Sequence, residues 1–342
     1  MKKIGFALCL LATCRTAGIA QPLASAPPQA SRTIQAPAPP KAEIGNGVIY
    51  ARIYLPDPEK GYYRGTRFDW SGVMPSLEYK GHTYCGQWFP EYAPTTHDAV
   101  MGPVESFTPL GYEGAAPGGS FVQIGVGSLT RPDGSAYNSF TYYPVRDPGA
   151  WQIKRGRASI EFHQQLKDPV YPYIYTKRME LPKNRPELIL SHSLKNTGTH
   201  TIETEVFDHN FFLIDSQSTG PGLVLKFPFP LTAEGARGLG DLAAIRGDSI
   251  VILRQLTGKA SVYAILHGYD DQAEDYDIRL ENHTTGAGLR IRADRPLSRL
   301  VCWGNSTILC PEPYMHIRVP PGETVTWTIR YEFYTVSISN GK

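Results

Sequence analysis

Two short segments hold the residue types that move protons near neutral pH. In Val206-Phe207-Asp208-His209-Asn210-Phe211-Phe212 a single histidine sits among aromatics. An imidazole, with an ordinary pKa of about 6.5, gains or gives up a proton close to neutrality, so His209 is a candidate general acid. In Thr307-Ile308-Leu309-Cys310-Pro311-Glu312-Pro313-Tyr314 one carboxylate lies between two prolines. The prolines stiffen its backbone, and partial burial raises a glutamate from about 4.3 toward the range in which a general base works. Taken singly, a histidine fixed by a core hydrogen bond and a glutamate in an ordinary Pro-rich turn are the plain alternatives.

The elements that must carry these groups read as strands. Val48 to Leu55, Ala158 to Gln165, Glu187 to Lys195, Thr201 to Asp208, Ser249 to Leu256 and Ser261 to His267 are short and rich in β-branched and aromatic residues. Turn signals such as Arg131-Pro132-Asp133-Gly134, Asn196-Thr197-Gly198 and Pro320-Pro321-Gly322 separate strand-prone runs. Ala233 to Ile245 is the one stretch whose helicity is open to debate, and it contains Gly235, Gly238 and Gly240. The run Thr324 to Tyr334 is long enough to cross a wide sheet, and no repeat of propeller length is visible. The expected class is all-β.

Composition narrows the function classes. Lys and Arg total 34 against 32 Asp and Glu among 342 residues. The densest basic cluster, Lys154, Arg155 and Arg157, is too small for a nucleic-acid face. Serine-hydrolase, phosphate-loop, zinc-helix and dinucleotide signatures are missing. Lys2, Lys3, the apolar run Ile4 to Ala12 and Gly18-Ile19-Ala20 read as a signal peptide over residues 1–20, which predicts a periplasmic or secreted protein. Leu11-Ala12-Thr13-Cys14 leaves open a lipid anchor on Cys14 at the outer membrane. No transmembrane run follows. Residues 21–42, with six Pro and six Ala, read as a spacer before one domain at 43–342. Cys302 and Cys310 are a possible disulfide or two buried thiols.

In order along the chain, the motifs resemble the galactose mutarotase-like, or aldose 1-epimerase, superfamily over about residues 43 to 336. Gly61 to Gly72 followed by Leu77-Glu78-Tyr79-Lys80-Gly81 looks like that family's first hairpin. Leu194 to Gly198 leading to His209-Asn210-Phe211-Phe212 is similar to its Asn-Thr-Gly hairpin and Asn-His-x-Tyr-Phe-Asn strand. Cys310-Pro311-Glu312-Pro313 is similar to the strand of its catalytic glutamate, with Pro320 to Glu323 and Trp327 closing the fold.

The resemblance implies a β-supersandwich: two large, mostly antiparallel sheets packed face to face, with a concave sheet as the sugar site. It implies interconversion of the anomers of a free sugar, without cofactor or metal. His209 would protonate the ring oxygen, and Glu312 would take the proton of the anomeric hydroxyl. Sugar faces stack on aromatics, for which Trp70, Tyr84, Trp88, Phe89, Tyr92 and Trp303 are candidates. Arg67, Glu105 and Asp208 are the polar candidates, His97-Asp98 could add contacts, and His163, His192 and His200 read as structural.

Two family features are absent. Ala116-Pro117-Gly118-Gly119 stands where a second histidine is usual, and Met101 to Phe107 stands where a Gly-Arg-x-x-Asn-Arg segment is usual, which disfavours a sugar phosphate. The expected partner is a small sugar or an oligosaccharide. The alternatives are a carbohydrate-binding protein without turnover, and a polysaccharide lyase or hydrolase. A hydrolase needs two carboxylates about 5 to 9.5 Å apart, from the pairs Asp208 with Glu312 or Glu105 with Glu312.

Overall fold

Alternating burial along nearly every strand sets the architecture. The computed structural model describes residues 38–338; the expected leader, Cys14 and the spacer as far as residue 37 lie outside the described residues. Tyr173–Glu180 and Glu187–Asn196 bury every second side chain, as a strand facing a core on one side does. These two and Thr324–Thr335 are neighbours within a ten-stranded antiparallel sheet. Thr324–Thr335 is the long run predicted to cross a wide sheet, and it does so between its neighbours Ala287–Ala293 and Glu187–Asn196.

A six-stranded sheet runs in the order Thr232–Arg237, Val262–His267, Arg299–Gly304, Leu309–Val319, Ile202–Phe211, Gly102–Phe107. The inner faces of the two large sheets share one apolar cluster. Phe107 of the smaller sheet meets Tyr175 and Trp327 of the larger at 5.6 and 6.3 Å between ring centroids. The expected sandwich of two large antiparallel sheets is thus present, with further sheets of four and three strands beside it.

Four details refine the expectations. The first strand, Lys41–Gly45, opens within the stretch read as spacer. Ala233 to Ile245 holds no helix: Thr232–Arg237 and Ala243–Arg246 are strands, and Gly235, Gly238 and Gly240 between and within them take positive φ. Gly61 to Gly72 forms a loop ahead of the Ser76–Tyr79 strand, which pairs with Ile49–Tyr54 on one side and, around Lys80 and Gly81 with φ of 49° and 81°, with His82–Thr83 on the other. Finally, Cys302 and Cys310 are free. Register explains this: Cys302 stands opposite Pro311 and Cys310 opposite Trp303, so the thiols point to opposite faces of the sheet and enter different apolar clusters.

Among the described residues no helix is long and apolar enough to cross a membrane.

Candidate cleft on the outer face of the six-stranded sheet

His209 and Glu312 come from adjacent strands. The Ile202–Phe211 and Leu309–Val319 strands pair as far as Phe207 opposite Tyr314. Two residues further that register sets His209 against Glu312, where Pro311 and Pro313 have no N–H for the ladder. Asn210 takes over, its side-chain amide donating to the Pro311 carbonyl at 3.0 Å. His209 Nε2 lies 3.3 Å from Glu312 Oε1, with both side chains almost wholly buried.

Aromatic rings hold the imidazole in place. His209 stacks on Phe211 at 3.7 Å and meets Phe68 and Trp303 edge-on at 5.8 and 5.7 Å. Burial pushes its pKa well below the ordinary histidine value, and Arg67 adds to the effect. Burial pushes Glu312 the other way, up to about 7, with Arg67 opposing and Asp98 adding to the rise. His209 Nδ1 has no hydrogen-bond partner among the described residues.

The pair opens into a cavity of about 320 Å³ lined also by Arg67, Asp98, Phe140, Arg237, Tyr263 and Trp303. Strand parity places most of this lining on one face. Arg237 stands opposite Tyr263, Tyr263 opposite Trp303, and Trp303 opposite Cys310, two residues before Glu312. Arg67 enters from the loop above. Its guanidinium lies 4.7 Å from the Phe68 and the Phe140 ring centroids and pairs with Asp98, whose other oxygen is 2.9 Å from His97 Nδ1.

Of the residues singled out in the sequence, His209, Glu312, Arg67 and Trp303 share this cavity, and Glu105, Asp208 and Trp70 do not line it. Asp208 is adjacent to His209 on a strand, so its side chain must point to the other face, and Glu105 is its register partner there. Neither can flank a glycosidic bond together with Glu312, which removes both carboxylate pairs of the hydrolase reading. Trp70 is buried, its indole N–H donating to the Gly65 carbonyl at 2.7 Å.

Glu105 instead belongs to a charged cluster between the sheets. It pairs with Lys177 and sits 2.7 Å from His192 Nε2. Burial alone would raise the Glu105 carboxyl, but Lys177 and His192 outweigh it and hold it at about 2. Burial pushes Asp208, which accepts from the Tyr331 hydroxyl, well above the usual carboxylate range, and it pushes Asp69 up to about 7 against the pull of Lys177.

This cluster pins the Arg67 loop. Lys177 Nζ donates to the Ser71 carbonyl at 3.1 Å, Asp69 accepts from Ser71 N–H at 2.8 Å, and Ser106 Oγ donates to the Arg67 carbonyl at 2.8 Å. Gly72, at φ +90°, is a glycine because a Cβ there would sit 2.7 Å from Lys177 Nζ.

Sequence reasoning missed Phe140, Arg237 and Tyr263, which come from a loop and two strands with no recognisable motif. Among the described residues no group of three or more His, Cys, Asp or Glu is placed to hold a metal.

No family model and no curated protein matches the chain. Among solved structures it is similar to a galactose mutarotase related enzyme from Lactobacillus acidophilus, at 12% identity over 87% of this chain and 98% of that one, with a TM-score of 0.53. It is similar to an aldose epimerase homologue from C. elegans at 13% identity, 87% and 100% coverage and a TM-score of 0.53. A galactose mutarotase-like protein from Lactobacillus casei ATCC 334 gives 12%, 86% and 100%, and 0.51. The fold is that of the galactose mutarotase-like proteins.

Proposed function

We propose that this protein interconverts the α and β anomers of a free sugar, with His209 and Glu312 as a proton relay. The observation that carries the reading is the 3.3 Å contact between an imidazole and a carboxyl at the wall of an aromatic-lined cavity. The anomeric and ring oxygens are bonded to one carbon. A donor and an acceptor side by side therefore reach both.

One proton on the pair suffices. Resting on Glu312, it crosses the contact to His209, which passes it to the ring oxygen while the Glu312 carboxylate left behind accepts the anomeric proton; the C1–O5 bond breaks and the carbonyl forms. Rotation about C1–C2 and the reverse transfers close the other anomer, and no proton is gained or lost. Because Glu312 titrates at about 7 and His209 well below 6.5, the pair holds one proton on the acid side of neutrality and none above it. Turnover should therefore fall as pH rises through about 7; a Glu312 carboxylate acting alone as base would instead give a rate that rises through that pH.

The test is exchange NMR on free aldoses, following α-to-β conversion. Glu312→Gln and His209→Ala should each lower the rate by about 10²- to 10⁴-fold. Anomer exchange that neither substitution slows would refute the relay. The leader read in the sequence places this chemistry in the periplasm or outside the cell, as part of the same proposal.

A further inference from the structure

The cavity is rich in donors and short of acceptors. Asp98 pairs with Arg67 through one carboxylate oxygen, and Glu312 lies against His209. Beyond these two carboxylates the lining is made of donors: Arg237, the Tyr263 hydroxyl and the Trp303 indole N–H can all donate. A neutral sugar presents hydroxyls that must both give and receive; an anionic group only receives.

The charges point the same way. Arg237 gives its Nε–H to Ser261 Oγ at 3.1 Å, lies 5.8 Å from the Tyr263 ring centroid, and forms no ion pair with a carboxylate among the described residues. With Glu312 ionised, Arg67 and Arg237 balance Asp98 and Glu312; with the relay proton on Glu312, the lining carries one unmatched positive charge. One free, planar guanidinium fork matches one planar carboxylate. A doubly charged phosphate would exceed it.

Spacing allows the fit. Arg237 is three strands from the Glu312 strand, about 14 Å at an inter-strand spacing of about 4.8 Å. Its side chain reaches back over Tyr263. A single pyranose resting on Trp303 and Tyr263, with its anomeric carbon at Glu312, bridges the remainder.

We infer that the substrate is a hexuronate, a pyranose whose carboxylate is held by Arg237. This rests on the anomer interconversion proposed for the same cleft. The probes are sodium D-glucuronate and D-galacturonate against glucose, galactose and glucose 6-phosphate. Exchange NMR reads turnover, and titration calorimetry on Glu312→Gln reads binding without turnover.

KM for a uronate should lie about tenfold or more below that of the matching neutral sugar, and Arg237→Gln should erase the difference. A neutral aldose or the sugar phosphate preferred over both uronates, or a uronate preference that survives Arg237→Gln, overturns the inference. If no sugar is turned over, yet uronates bind Glu312→Gln and lose that binding when Arg237→Gln is added, the anomerase reading fails and this one stands.

Discussion

Asp208 and His209 are consecutive residues with opposite fates. One faces the space between the sheets and the other faces the cavity, and the groups gathered around each behave differently. Asp69 on the inner side and Glu312 on the outer are both pushed up to about 7, and burial is the main cause for both. Asp69 spends its oxygens on Ser71 and Tyr175 in a cluster with no opening, whereas Glu312 meets one imidazole and then a cavity. A displaced pKa alone therefore does not mark a site; it does so when the group also faces a place where a substrate can stand.

The largest effect separating the two faces should come from the interior. Lys177 is fully buried and bridges both sheets and the Arg67 loop. Lys177→Met leaves the Glu105 charge uncompensated by its ammonium partner and should cost about 3–5 kcal/mol in urea denaturation. Adding Glu105→Gln removes that stranded charge and should restore much of the loss. A double variant no more stable than Lys177→Met would show that packing, not charge, holds the inner face together.

A smaller effect compares the two carboxyls directly. In the folded chain Glu312 keeps a proton to about pH 7 that the unfolded chain releases near 4.5. Its contribution to stability is thus full below about 4.5 and lost as pH rises through about 7, a change of at most about 3 kcal/mol. Glu312→Gln should abolish that dependence and leave the protein more stable than the wild type at pH 8. Asp69→Asn should flatten the same stretch of the stability curve without moving the pH profile of anomer exchange. If Asp69→Asn shifts that profile, the two faces are coupled and the inner cluster tunes the relay through the Arg67 loop.

The sandwich was legible because its strands alternate apolar and polar residues, as in Glu187–Asn196, and because turn residues punctuate them. His209 and Glu312 were legible for a different reason: each is a lone titratable group in an unusual local setting, aromatics for one and flanking prolines for the other. The parity of the strand was enough to exclude Asp208 once His209 was assigned, since neighbours on a strand cannot share a face. Glu105 needed more. Its direction follows from pairing with a strand about a hundred residues away, and nothing local to Gly102-Pro103-Val104-Glu105 records that register. Phe140, Arg237 and Tyr263 were invisible for the same reason: the cavity is assembled by strand order and by a loop folding over it, both non-local.

The smallest effect tests the rim of the cavity. Phe140 is 57% exposed, yet its ring covers the Arg67 guanidinium and meets His97 edge-on at 4.9 Å. An aromatic left that open contributes little to folding, so Phe140→Ala should change stability by no more than about 1 kcal/mol. Removing it takes away one of the two rings on Arg67, a contact of about 0.5–1 kcal/mol at an exposed site, and one wall of the sugar cavity. Asp98 and Phe68 still hold the guanidinium, and the His209–Glu312 pair is untouched. The expected result is a KM raised severalfold with kcat close to that of the wild type. A fall in kcat at constant KM would instead mean that Phe140 acts through Arg67 on the charge of the relay, which would make the rim part of the proton chemistry rather than of binding.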